Sequence, residues 1–198
     1  MVYGKKRNFI LKKIKTIAEM KKILITGGTG LLGKELVKGF LDKKCIVYFT
    51  STSKQNSEKL LKSIKLKYKK YCVPIIQKFN NYDDMNQFIG KYKKVKFDTL
   101  INNARNISNL NLNVTNYEHY NSFNNEIFLA VHLPYFLSIN LNHKFLNHIV
   151  NITSMYGVVP PNKNLYTDKY KSSPIYYGVS KAAEIHLSKE LAVRLADK

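Results

Sequence analysis

Tyr177 and Lys181 stand four residues apart in Tyr177-Gly178-Val179-Ser180-Lys181. On a helix that spacing sets both side chains on one face, about one turn from each other. A phenol that releases its proton only near pH ~10 is a poor acid or base at neutral pH, but an adjacent ammonium favours the phenolate and lowers that threshold. Ser154, in Asn151-Ile152-Thr153-Ser154 at the end of an apolar run, offers a hydroxyl to the same substrate oxygen. In outline these three make a site for carbonyl reduction or alcohol oxidation, with hydride supplied by a nicotinamide.

A second cluster near the start of the chain fits that chemistry. Thr26-Gly27-Gly28-Thr29-Gly30-Leu31-Leu32-Gly33 follows one apolar run and leads into an amphipathic one. Glycines there let the backbone turn tightly and approach a pyrophosphate, and a helix amino terminus offers unpaired N–H groups and a positive dipole end. The position between a first strand and a first helix is the context a dinucleotide site demands. The second strand runs out into Thr50-Ser51-Thr52-Ser53-Lys54, and the first acid is Glu58. An NAD ribose wants an acid at that point, whereas hydroxyl and basic groups suit a 2′-phosphate, so NADP is expected over NAD.

The elements that must position these groups alternate. Strands are expected at Lys22 to Thr26, Cys45 to Thr50, Cys72 to Ile76, Phe97 to Asn102 and Asn147 to Thr153. Helices are expected at Leu31 to Leu41, Ser57 to Tyr68, Asp83 to Tyr92, Tyr117 to Ile139 and Ile175 to Ala196. Such βαβα alternation argues an α/β domain with a parallel sheet covered on both faces, because each crossover needs a helix to return the chain. Ligands on such sheets bind beyond the carboxyl ends of the strands. The irregular stretch from Tyr156 to Pro174 precedes the last helix, and a loop of that length is more often functional than not.

The ordered set of glycine loop, Asn102-Asn103-Ala104, strand-end Ser154 and Tyr177-x-x-x-Lys181 resembles the short-chain dehydrogenase/reductase family over residues 21–198. The resemblance implies a Rossmann-like doubly wound parallel sheet in three α/β/α layers. It also implies Tyr177 as proton donor or acceptor, Lys181 as the residue that tunes it and holds the nicotinamide ribose, and Ser154 as the group that positions the carbonyl. Thr26, Gly27, Thr29, Gly30, Leu31 and Gly33 would line the cofactor, with Ser51, Thr52 and Ser53 at the adenosine ribose. Asn102, Asn103 and Ala104 would brace the sheet and border the adenosine side. Ser154 and Tyr177 lie 23 residues apart, a longer insert than in ordinary reductases of the family. That insert, with Tyr156-Gly157-Val158-Val159-Pro160-Pro161 and Tyr166, is similar to the flagellin modification protein A and surface-polysaccharide type, which implies a sugar or nucleotide-sugar substrate. A catalytically silent dinucleotide-binding module and a nucleotide-sugar epimerase or dehydratase are the alternatives. The Gly27, Gly30, Gly33 spacing leans toward the latter branch.

Three departures from the pattern stand out. Ala130 occupies the place where many members carry a relay Asn, and Arg105 stands where Gly often follows Asn-Asn-Ala. The family also continues after its Tyr-x-x-x-Lys helix with further strands, whereas this sequence stops at Lys198, so it reads as a shortened form lacking the last strands. Relatives commonly pair through the helices equivalent to Tyr117 to Ile139 and Ile175 to Ala196, which implies a homo-oligomer.

Composition bounds the rest. Thirty-three Lys and Arg against 13 Asp and Glu give a formal charge of +20 over 198 residues, a balance that ordinarily raises nucleic acid or anionic membranes as partners. Only Arg7, Arg105 and Arg194 are arginines, however, and phosphate and base-edge recognition draws on the guanidinium fork. Solvated lysines, such as Lys59, Lys62, Lys65, Lys67, Lys69 and Lys70, account for the charge without a nucleic-acid partner. Residues 1–20 form a basic extension in which Ile10, Ile14 and Ile17 share a helical face. Cys45 and Cys72 make neither a zinc spacing nor a disulfide framework, so no metal site and a reducing compartment are expected. With no apolar run near a span's length, the chain is expected in the cytoplasm.

Overall fold

The structure, a computed structural model, describes residues 20–105, 116–166 and 173–197. Five strands form one sheet: β1 (Lys22–Ile25), β2 (Ile46–Ser51), β3 (Cys72–Ile76), β4 (Thr99–Asn102) and β5 (His148–Asn151). Their spatial order is β3-β2-β1-β4-β5, with every pairing parallel. The helices are α1 (Leu31–Asp42), α2 (Lys54–Ser63), α3 (Leu66–Lys69), α4 (Tyr82–Tyr92), α5 (Asn116–Ile127), α6 (Leu133–Asn140) and α7 (Ile175–Arg194). This is the doubly wound α/β architecture that the alternation predicts. The basic extension, apart from Met20, lies outside the described residues, as do residues 167–172 of the long loop.

Alternation along β1 shows why the layers form. Ile23 and Ile25 face one side of the sheet and join Val37, Phe49 and Leu60 beneath α1 and α2. Leu24 faces the other side and joins Phe88, Leu100, Leu133 and Leu137 beneath α4 and α6. All of these are at most 3% exposed. A strand buried on both faces is what a parallel sheet requires.

Two expected helices differ from the sequence reading. The one placed at Ser57 to Tyr68 begins earlier, because the Ser53 hydroxyl caps it by accepting the Asn56 N–H at 3.2 Å. It ends at Ile64, whose extended backbone separates α2 from α3. The one placed at Tyr117 to Ile139 is interrupted by a π-helical turn, Phe128–His132. Pro134 has no N–H to return to the Ala130 carbonyl, so regular α-helical bonding fails there, and a π-turn absorbs the mismatch. Strand ends move by one or two residues.

The pairing register sets the site. Ile25 lies opposite Ile101, and Asn102 opposite Asn151. The glycine loop after β1, Asn103 to Arg105 after β4 and Ile152 to Ser154 after β5 therefore leave the sheet at one edge.

Candidate functional site

The glycine loop is built against the end of β4. Thr26 Oγ1 accepts the N–H groups of Asn103 at 2.9 Å and Ala104 at 3.0 Å. The Asn103 amide donates to the carbonyls of Thr26 and Gly27, each at 3.1 Å. Gly27 adopts φ +67°, and a Cβ on it would stand 2.8 Å from Ala104 Cα. A Cβ on Gly33 would stand 2.3 Å from the Gly27 carbonyl oxygen. These two glycines serve close approach of one backbone to another.

Gly30 differs. Its backbone is extended, and a Cβ would meet only the Gly27 oxygen, at 3.4 Å. Among the described residues no contact demands a glycine there. Gly30 also precedes α1, whose amino terminus has neither a side-chain cap nor an acid in its first turn. Open space before unpaired N–H groups at a positive dipole end is a cradle for an anion such as pyrophosphate. Leu31 is exposed beside it.

The end of β2 closes this half. Thr50 binds the loop through its side chain and backbone, accepting the Gly27 N–H at 3.0 Å and the Gly28 N–H at 2.9 Å. Ser51 Oγ lies 3.0 Å from Thr29 Oγ1 and donates to the Ser53 carbonyl at 3.0 Å. Exposed Thr52 and Lys54 flank the start of α2. Thr50 was not among the sequence-predicted residues. Its position at a strand end facing the glycines was the available signal.

Asn102 departs from the rest of its tripeptide. It is 3% exposed, and its amide donates to Asn151 at 2.7 Å, which in turn donates to Ser188 at 2.8 Å. It ties β4 and β5 to α7 and braces the sheet. Asn103 and Ala104 stay with the glycine loop.

The chain leaving β5, which carries Ser154, docks on α7, which carries Tyr177 and Lys181. Ser154 caps a 3₁₀ turn, Met155–Gly157, by accepting the Tyr156 N–H at 3.2 Å, which leaves its hydroxyl proton available. Thr153 Oγ1 donates to the Lys181 carbonyl at 3.1 Å. A Cβ on Gly157 would stand 2.7 Å from the Lys181 carbonyl carbon, and one on Gly178 would stand 3.0 Å from the Tyr156 carbonyl oxygen. Bare backbone on both sides lets the turn and the helix touch.

The surroundings of Lys181 and Tyr177 were not legible from the motif. Lys181 Nζ donates to the Ile152 carbonyl at 2.8 Å and to Glu184 Oε2 at 2.6 Å, with both side chains of that ion pair buried. Burial raises the Glu184 carboxyl; Lys181 opposes the shift and Glu126 adds to it. Glu126, on α5, is also buried and also raised by burial, against the pull of Arg105 and Lys181. Arg105 Nε lies 3.5 Å from Glu126 Oε1, and the Arg105 guanidinium carbon lies 3.7 Å from the centre of the Tyr177 ring. The Tyr156 ring stands edge-on to Tyr177 at 6.5 Å, and its hydroxyl is bonded to that of Tyr166 at 2.7 Å, which raises the Tyr156 phenol. The thiol of Cys72 is pushed up to about 12 by burial and is no nucleophile. No group of residues able to hold a metal occurs among the described residues.

The segments that carry Ser154, Tyr177 and Lys181 thus lie at the carboxyl end of the sheet, as the glycine loop does. The short chain dehydrogenase family model matches residues 21–198. The chain belongs to that family. Membership makes it an oxidoreductase of the short-chain type. No curated protein matches it. The bulky-bulky ketone specific alcohol dehydrogenase of Comamonas testosteroni is 21% identical with a TM-score of 0.72; the match covers 90% of this chain and 70% of that one. A short chain dehydrogenase of Leptospira borgpetersenii with bound NAD+ is 24% identical, TM-score 0.70, over 89% of this chain and 66% of its own. ElxO, with NADP bound, is 27% identical, TM-score 0.66, over 90% and 69%. The chain spans about two thirds of the length of these three short-chain dehydrogenases.

The open cradle at Gly30 fits a nicotinamide dinucleotide such as those bound in the Leptospira enzyme and ElxO, and it separates two alanine substitutions. Gly33→Ala drives a methyl into backbone and destabilises the chain by about 1–3 kcal/mol. Gly30→Ala leaves the thermal midpoint near that of the unaltered protein but weakens dinucleotide binding at least as much. Thermal unfolding and a dinucleotide titration on both variants check this order.

Proposed function

We propose that this short-chain dehydrogenase transfers hydride between NADP(H) and a carbonyl or hydroxyl of a sugar or nucleotide-sugar, within surface-glycan synthesis of the flagellin or polysaccharide type. The bound nicotinamide supplies or accepts the hydride. Tyr177 gives or takes the proton at the substrate oxygen, Ser154 donates a hydrogen bond to that oxygen, and Lys181 holds the ribose.

The observation that supports the reading is the docking of the chain leaving β5 on α7, where Thr153 Oγ1 donates to the Lys181 carbonyl and the Tyr156 ring stands edge-on to Tyr177, at the end of the sheet that also bears the Gly30 cradle. NADP is favoured over NAD by the β2 end, where the Thr29 and Ser51 hydroxyls are bonded to each other, Ser51 is held by the Ser53 backbone and Lys54 opens α2. A carboxylate at that point would repel a 2′-phosphate; here the first acid is Glu58. A polyhydroxylated substrate suits the paired phenols of Tyr156 and Tyr166 on the insert between Ser154 and Tyr177.

Equilibrium titration with NADP and NAD tests the cofactor half. NADP is expected to bind at least about tenfold more tightly, the worth of one or two charge-assisted hydrogen bonds. Ser51→Asp should reverse the order. Equal affinities, or an order that Ser51→Asp leaves unchanged, would remove the phosphate reading. A panel of sugars and nucleotide-sugars assayed for dinucleotide reduction tests the substrate half. The silent-module alternative draws on Ala130 and on the capture of Lys181 by Glu184. It predicts tight NADP binding with no reduction by any member of the panel.

A further inference from the structure

We propose that Arg105 selects the substrate of this site: its guanidinium takes a carboxylate, or another anionic oxygen group, carried close to the carbon that reacts at Tyr177. Resting on the role given to Tyr177 above, this narrows the substrate from sugars in general to sugar acids or sugar phosphates.

Arg105 is anchored by the cofactor half of the site and presented to the substrate half. Its neighbours Asn103 and Ala104 are pinned to the glycine loop through Thr26 Oγ1, at 2.9 and 3.0 Å, so the chain leaves β4 at a fixed point. From there the guanidinium carbon reaches to 3.7 Å from the centre of the Tyr177 ring. The reacting hydroxyl is borne on that same ring. A small molecule with its oxygen at the phenol therefore passes within a few ångström of the guanidinium.

The fold leaves this fork room to bind. Glu126 Oε1 stands 3.5 Å from Nε, beyond the about 2.7–3.2 Å of a good N–H···O bond. Among the described residues that buried Nε has no hydrogen-bond partner. A buried donor without an acceptor costs free energy that an incoming oxygen removes. The side chain keeps 25% exposure, enough for a ligand to reach it and too little for water to screen the contact fully. Its place on the ring face, a cation–π contact, holds the charge ready before anything binds.

The residue type points the same way. Of 33 Lys and Arg, only Arg7, Arg105 and Arg194 are Arg, and Arg194 is exposed, paired with Glu190 on the surface of α7. Where a chain otherwise uses Lys for positive charge, a guanidinium beside the reacting phenol adds geometry: a planar fork that matches two oxygens of one anion.

The test reads binding, without turnover. With arginine labelled with ¹³C at the guanidinium carbon, NMR follows three signals, and that of Arg105 is the one lost in Arg105→Lys. The full chain, with NADP in excess and ionic strength held constant, is titrated with glucuronate, galacturonate and inorganic phosphate, and with glucose and galactose as neutral counterparts. The Arg105 signal should move saturably with the anions and stay still with the neutral sugars, while the exposed Arg194 ignores all five. Arg105→Gln should weaken glucuronate binding, read from the line widths of the sugar, by at least about tenfold. Saturation by phosphate but not by the uronates assigns the anion as a phosphate group of the substrate. A guanidinium that serves only to clamp Glu126 would ignore the anions. No saturable movement with any anion, equal movement with glucose and glucuronate, or equal movement of Arg194 overturns the proposal. Should Arg105→Lys not fold, Arg7→Lys and Arg194→Lys assign the Arg105 signal by elimination. Dinucleotide turnover undiminished in Tyr177→Phe sinks the parent reading instead, whatever the titrations show.

Discussion

Tyr177→Phe is expected to lower dinucleotide-dependent turnover by about two to four orders of magnitude, the usual worth of a positioned general acid or base, and to leave stability and dinucleotide affinity close to those of the unaltered protein. The substitution deletes one oxygen. The ring keeps its contact with Arg105 and its edge-on packing with Tyr156, and the backbone bond from the Tyr177 N–H to the Pro174 carbonyl is untouched. Neighbouring phenols cannot substitute. Tyr156 is engaged with Tyr166, and Tyr176 is 2% exposed, with its hydroxyl bonded to Ser122. Steady-state rates from nicotinamide absorbance on the substrate panel, beside a thermal melt, supply the measurement. A rate within about threefold of the unaltered protein assigns the proton to another group.

Lys181→Met has the largest expected effect on folding, about 3–5 kcal/mol of destabilisation. Glu184, at 2% exposure, loses the ion-pair partner that Lys181 provides, and Glu126, at 4%, loses part of its compensation. The double variant Lys181→Met with Glu184→Val leaves no orphan charge and should regain most of that loss, because replacing a buried pair with apolar groups is often near neutral. The pH dependence has a definite sign. Burial raises the Glu184 carboxyl already beside Lys181, and without that cation it rises further. A carboxyl whose folded value exceeds its unfolded one favours folding below the unfolded value and loses that contribution as pH rises through the folded value. The single variant should therefore recover toward the unaltered protein as the medium is made acid. Denaturant midpoints at acid and neutral pH for the three proteins check both statements, and a penalty that ignores pH would show that Glu184 has found another partner.

The fold was legible because hydrophobic patterning and breakers act locally. Ile23, Leu24 and Ile25, buried on alternate faces, read as a strand covered on both sides, and the glycines fixed where β1 must turn. The misplaced start of α2 was also a local matter: Ser53 is a capping residue whose place in the run from Thr50 to Lys54 gave the signal. The π-turn was harder, since Pro134 announces a fault in the helix but not its form. Tyr177 and Lys181 stand out in the sequence because they lie one turn apart on a helix. What surrounds them does not, since Arg105, Glu126 and Glu184 come from three elements and meet only in the folded chain. Arg105 stood out only as a departure after Asn-Asn-Ala, and Glu184 left a periodic trace. It falls on the same face of α7 as Ser180, Lys181 and Leu191, all buried, so helical periodicity places an acid where an apolar side chain would be expected.

The π-turn at Phe128–His132 also acts as a clutch between two gears. On its amino-terminal side α5 offers Glu126 to Arg105 and Phe123 to Tyr176. On its carboxyl-terminal side α6 meets α4 through Phe136 and Tyr82 and sends Leu133 and Leu137 beneath the sheet. Removing one residue from the turn would rotate one half against the other by about 100°, the angular step of a helical residue, and only one gear could stay engaged. In those five positions the number of residues is fixed more firmly than their kind.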